Sequence, residues 1–123
     1  MRLFGIRGAV CTKNTAEDIT KNVGDMCAEI FSANALKSTD IVSIQFTLTA
    51  DLTALNPAAA LRRAKIDFDV SSIALFCAVE PAVENSLPLT IRTLVTAYMD
   101  EGAKVRHVYK NGAEVLRPDF AKK

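Results

Sequence analysis

At 123 residues the chain has the length of one domain, spanning 1–123, enough for a core but too short to enclose a deep private cavity. Half of it is hydrophobic, 24% is charged, and 15 basic against 14 acidic side chains leave a net charge of +1. That balance argues against a general nucleic-acid or membrane binder, which carries a basic excess gathered on one face. Any preference for anions must come from a few placed arginines.

Cys11, Cys27 and Cys77 are odd in number, widely spaced and without a CxxC pair, which suits a reducing compartment rather than a disulfide framework. The start, Met1-Arg2-Leu3-Phe4-Gly5, lacks the apolar run of a signal peptide, so a cytoplasmic location is expected. With one histidine, His107, and scattered cysteines there is no plausible zinc set, and no glycine-rich motif offers a nucleotide cradle. No metal and no cofactor are expected.

In chain order, Arg2 to Cys11 reads as a strand, with Gly5 and Gly8 around Arg7 marking a close approach of backbone or ligand. Thr15 followed by Glu17 and Asp18 is a helix start, and Ile19, Val23, Met26, Cys27, Ile30 and Phe31 form one apolar stripe ending near Asn34. Ile41 to Thr49 alternates after Val42 and predicts a half-buried strand. Asn56-Pro57 is a cap with proline at the first helical position, opening a short helix through Arg63. Val70 to Val79, Thr90 to Tyr98 and Val105 to Tyr109 read as strands, with Pro81 and Pro88 bracketing a loop and Lys110-Asn111-Gly112 a turn.

The expected fold class is therefore α+β (mixed α/β), a five-stranded mixed sheet with two helices. Two helices cover one sheet face. Ile73, Leu75 and Cys77 on one parity and Ala74, Phe76 and Ala78 on the other are all apolar, which favours burial on both sides and hence self-association. A monomer with loops over the second face is the alternative.

The residues able to carry chemistry are Arg7, Arg62, Cys77, Glu80, Arg92, Arg106, Tyr109 and Arg117, most at or near strand ends. Internal ion pairs with Glu80, Asp69, Asp100 or Asp119 would explain any one arginine, because an unpaired buried charge is costly. Several together point to a bound carboxylate or phosphate, which the guanidinium fork grips bidentately. These residue types give an anion site and no reaction.

Gly5-Ile6-Arg7-Gly8-Ala9, Arg106-His107-Val108-Tyr109 and Leu116-Arg117-Pro118-Asp119 resemble the AroH-class chorismate mutases. Between them Asp51-Leu52, Asn56-Pro57-Ala58, Arg62, Cys77-Ala78-Val79-Glu80 and Ile91-Arg92 follow in the family's order, so the resemblance runs from Arg2 to Phe120. It implies a pseudo-barrel homotrimer with active sites between subunits, and a chorismate dianion as substrate. It further implies that Arg92 reaches the ether oxygen of the breaking bond and that Arg7, helped by Tyr109, holds a carboxylate. Glu80 and the Cys77 thiol would meet the ring hydroxyl, and Arg62, Leu116 and Arg117 would complete the substrate contacts.

The reaction breaks one C–O bond as a C–C bond forms, with no proton to move, so Glu80 is cast as a positioning acceptor and not as a base. His107 is placed on the face opposite Tyr109 and read as structural. The chain departs from the family pattern at Asn56, Ala59 and Phe76, and with Pro81 after Glu80, all near the pocket rim. Trimeric enamine/imine deaminases of similar shape and a non-catalytic binder of anionic metabolites are the alternative functions.

Overall fold

A computed structural model of the chain describes residues 1–121. The first strand, β1 (Arg2–Cys11), leads into α1 (Ala16–Ala33). A turn of 3₁₀ helix at Ser38–Asp40 precedes β2 (Ile41–Leu48), which is followed by α2 (Pro57–Arg63), β3 (Ala74–Val79) and β4 (Thr90–Met99). The chain ends with β5 (Val108–Lys110), a second 3₁₀ turn at Ala113–Leu116 and the one-turn α3 (Pro118–Ala121). The sheet order is β3-β2-β4-β1-β5. The central strand β4 runs antiparallel to β1 and β2, while the edge strands β3 and β5 run parallel to β2 and β1. The mixed five-stranded sheet expected from the sequence is present, with one more helix than the two expected.

Helix α1 begins where Thr15 Oγ1 accepts the Asp18 N–H at 3.1 Å. It ends at the buried Asn34, whose side-chain amide donates to the carbonyls of Ile30 and Arg106 and whose Oδ1 accepts the Arg106 N–H. One side chain thereby caps a helix and holds the approach to β5. Asn56 Oδ1 accepts the Ala58 N–H at 2.8 Å and starts α2, with Pro57 at a position that needs no donor.

Both long helices bury one sheet face. Phe4, Ile6 and Val10 of β1, Ile44 and Phe46 of β2, and Ile91 and Val95 of β4 meet the stripe of α1 and the Ala58, Ala60 and Leu61 side chains of α2. Each fully buried aliphatic side chain contributes ~1.5–3 kcal/mol relative to exposure. A Cβ on Gly8 would lie 2.8 Å from Ile30 Cδ1 and 2.9 Å from Thr93 Cγ2, so the small residue lets α1 sit close to the sheet. The close approach foreseen at Gly8 is one of helix to strand. A bulge between Ile41 and Ser43 shifts the alternation of β2, which is why the regular pattern starts only after Val42.

Two strands are shorter than expected. Asp69 accepts hydrogen bonds from the Ser71 N–H and hydroxyl, turning the chain so that β3 starts at Ala74 rather than Val70. At the other edge, Arg106 is bound to the Asn34 side chain instead of a ladder, so β5 begins at Val108 rather than Val105. The turn after β5 holds Asn111 and Gly112 at φ 55° and 100°, a left-handed pair of the kind expected there. Among the described residues no helix is long and apolar enough to cross a membrane.

Candidate active site

The second sheet face carries no long helix. The C-terminal turn and α3 cover its β5 end, where Ala9, Tyr109 and Ala113 are buried beneath Leu116 and Phe120. Toward β2 and β3 the face opens into a cavity of about 560 Å³ floored by Arg7, Gln45, Thr47 and Arg92 and walled by Glu80 and loop 81–88. Leu89, at the end of that loop, donates its N–H to the Asp51 carboxylate, which fixes the loop against the sheet.

Strand register determines which groups meet. Thr47 of β2, Arg92 of β4, Ala9 of β1 and Tyr109 of β5 pair in succession and form one row across four strands. Arg7 stands two residues along β1 from Ala9 and so shares its face. Ala9, between Arg92 and Tyr109, is fully buried under the C-terminal segment; neighbouring strands lie about 4.8 Å apart, so the two side chains rise from backbones roughly 10 Å apart.

Glu80 extends past β3 and donates its N–H to the Leu48 carbonyl at 2.9 Å. Its Oε1 accepts the Thr47 hydroxyl at 2.7 Å and lies 2.8 Å from Arg92 Nε. The side chains of Arg92 and Glu80 are 30% and 13% exposed. Arg92 Nε nonetheless makes no hydrogen bond, because its N–H is not aimed at the carboxylate. The contact is a charge pair without a directed bond, and the carboxylate is aligned by Thr47. Tyr109 is 7% exposed, and its hydroxyl likewise has no partner among the described residues. The two buried side-chain polar atoms left unpaired among those residues therefore sit in the same row, on either side of Ala9.

The structure brings Arg7, Glu80 and Arg92 together in one cavity and puts Tyr109 and Leu116 on the same sheet face toward β5, in the cluster under the C-terminal turn. It does not bring the other expected residues there. Cys77 differs in parity from Glu80 and packs against the helix-covered core, where burial pushes its thiol pKa up. Arg62 is exposed on α2, the helix packed on the opposite sheet face. Arg117 forms a two-pronged pair with Asp119 at 3.1 and 2.8 Å and lies 3.6 Å over the Phe120 ring. The hydrogen bonds from Arg117 hold the Asp119 carboxyl below the usual carboxylate range. For Arg117, then, the internal ion pair is what this chain shows.

His107 is a correction. Its ring stacks on Phe120 at 4.1 Å, and Tyr109 meets the same ring at 6.3 Å, so the two lie on one side, as residues two apart along extended chain do. Thr47 was not anticipated either; its signal was the polar parity of β2, shared with Gln45.

A family model for chorismate mutase type I matches residues 3–120. The chain is 36% identical to the chorismate mutase AroH of Thermus thermophilus over 119 residues, 94% of each protein. It is 32% identical to the chorismate mutase AroH of Bacillus subtilis (strain 168) over 123 residues, 98% of this chain and 94% of that one. Its structure is similar to that of a chorismate mutase from Clostridium thermocellum, with a TM-score of 0.83 and 39% identity, covering 92% of this chain and 99% of the other. With a family model spanning nearly its whole length and relatives above 30% identity, the chain belongs to the chorismate mutase type I family.

Proposed function

We propose that the chain rearranges chorismate to prephenate, on the route to phenylalanine and tyrosine, by holding the substrate in its compact reactive conformer and stabilising the ether oxygen as the C–O bond breaks. The observation that carries this reading is the cavity floored by Arg7 and Arg92 and walled by Glu80, with Arg92 in one row with Thr47, Ala9 and Tyr109 and with the Arg92 Nε and Tyr109 hydroxyl lacking hydrogen-bond partners among the described residues. A buried donor without a partner costs ~1–3 kcal/mol, and at Tyr109 a substrate carboxylate would offset that cost. The reaction redistributes electrons within one molecule and transfers no proton to the protein. Restriction of the conformer and a fixed positive charge are the two contributions the protein can make.

A guanidinium suits that role better than an imidazole, whose charge varies near neutral pH, and Arg92 supplies it. The Glu80 carboxylate, aligned by Thr47, lies against the Nε side of the guanidinium as a charge partner, leaving the terminal nitrogens to meet the oxygen that gains electron density. Arg7 takes a substrate carboxylate beside Tyr109, and Glu80 accepts from the ring hydroxyl. Arg62 and Cys77 point away from this cavity, so their proposed substrate contacts, and that of Arg117 once released from Asp119, require a homotrimer in which each cavity is closed by a neighbouring copy. Leu3, Phe76 and Tyr98, 47%, 65% and 45% exposed on the open sheet face, supply an apolar surface for that contact. The expected setting is the cytoplasm.

The test is consumption of chorismate by purified protein in the presence of a chelator. Replacing Arg92 by Ala should lower kcat by at least ~10²–10³, the usual cost of losing one preorganised donor, with circular dichroism unchanged. Wild-type protein that binds chorismate without forming prephenate, or an Arg92→Ala variant that turns over like wild type, would overturn the reading.

A further inference from the structure

The ladder between β1 and β5 begins at Gly8 opposite Val108. One residue earlier, the Arg7 N–H finds no main-chain acceptor in β5 and donates to His107 Nδ1 at 2.9 Å. A titratable ring thus replaces a carbonyl in the sheet, at the residue whose side chain floors the cavity. The same ring stacks on Phe120, which packs beside Tyr109 and beneath Arg117. The chain just before it is pinned by Asn34 at Arg106, so the imidazole has little freedom to move off.

We propose that His107 is a positioning residue: its neutral imidazole, accepting at Nδ1 and carrying its proton at Nε2, fixes the Arg7 backbone and the C-terminal turn around the cavity, and its protonation loosens both. An imidazolium has two N–H donors and no acceptor, so a proton taken from solvent at Nδ1 ends the bond from Arg7. The charged groups around the ring are Arg7 on β1 and Arg117 and Asp119 on the C-terminal segment, with the Tyr109 hydroxyl beside Phe120. Burial, then Arg117, then Arg7 lower the His107 pKa below its ordinary 6.5, and Asp119 opposes them more weakly. The stabilisation is therefore complete above pH 6.5 and is lost as the pH falls below that value toward the folded-state pKa. Whether this looseness alters catalysis rests on the chorismate mutase reading; the bond itself does not.

His107 is the single histidine of the chain, so its ring signals in a ¹⁵N–¹H NMR spectrum need no assignment. The expected result is a neutral Nε2–H tautomer titrating below 6.5, with the Arg7 amide losing exchange protection over the same range. In kinetics between about pH 8 and pH 5, wild-type KM for chorismate should rise about three- to tenfold at low pH, the effect of one neutral hydrogen bond, with kcat little changed. His107→Asn keeps an acceptor that does not titrate but loses the stack, so its KM should be independent of pH and lie below that of His107→Phe, which keeps the stack without the acceptor and should hold the high KM throughout. A proton on Nδ1, a pKa at or above 6.5, or a His107→Phe variant with the wild-type KM and pH profile would overturn the proposal. If wild-type protein does not turn over chorismate, the functional reading fails separately, and the tautomer and Arg7 exchange in wild type against His107→Asn decide the local claim.

Discussion

At Arg92, charge and direction are separated. The carboxylate of Glu80 lies within 2.8 Å, yet Nε–H has no bonded acceptor, and the alignment of that carboxylate falls to Thr47 at 2.7 Å. Replacing Thr47 by Val removes the hydroxyl at nearly constant volume. Hydrogen bonds to charged groups are worth ~1.5–3 kcal/mol, and at a site open to a cavity the low end applies, so kcat/KM for chorismate should fall about tenfold with little change in melting temperature. An unchanged kcat/KM would mean that Glu80 needs no alignment. At this scale the sequence singled out Arg7, Glu80 and Arg92 through their place in recognisable blocks, and the structure places all three around one cavity. It did not single out Thr47, because a threonine on an alternating strand looks like any solvent-facing hydroxyl. Alternation alone would have separated Cys77 from Glu80, three residues apart, and joined His107 to Tyr109, two apart.

Among the elements, those with a strong periodic signal or a helix cap were legible from residue types, and the strand starts set by side-chain-to-backbone bonds were not. Helix α1 announced itself through its stripe and its Thr15 cap, and β4 through its β-branched run. The starts of β3 and β5 depend instead on Asp69 and Asn34 capturing main-chain groups, at partners 2 and 72 residues away, and no local pattern records the distant one. Helix α3 is four residues long and has no stripe to read. The cap on α1 gives a direct check: Thr15→Ala removes the acceptor of the Asp18 N–H and should cost about 1 kcal/mol, lowering the melting temperature by roughly 4 °C while leaving turnover intact. A variant as stable as wild type would show that α1 is held by its packing alone.

For the whole molecule, the open sheet face is the feature that residue types foresaw best, since apolar side chains on both parities of β3 demand cover on both sides. Phe76, at 65% exposure in the isolated chain, lies in the middle of that demand. Phe76→Asp should shift the protein toward smaller species in sedimentation and reduce activity with it; a variant with unaltered size would place the contact elsewhere. What residue types could not show is which groups a neighbour supplies, because that depends on how copies meet. The proposed trimer makes Arg92 and Arg62 of one chain serve different cavities. Co-expression of Arg92→Ala and Arg62→Glu chains with distinct tags measures this directly, since neither variant alone should turn over chorismate appreciably. Every mixed closed trimer has one junction of its three where an intact Arg92 from one copy meets an intact Arg62 from the next, so the doubly tagged protein should recover about a third of wild-type activity. Mixed oligomers no more active than the mean of the two parents would contradict a cavity shared between subunits.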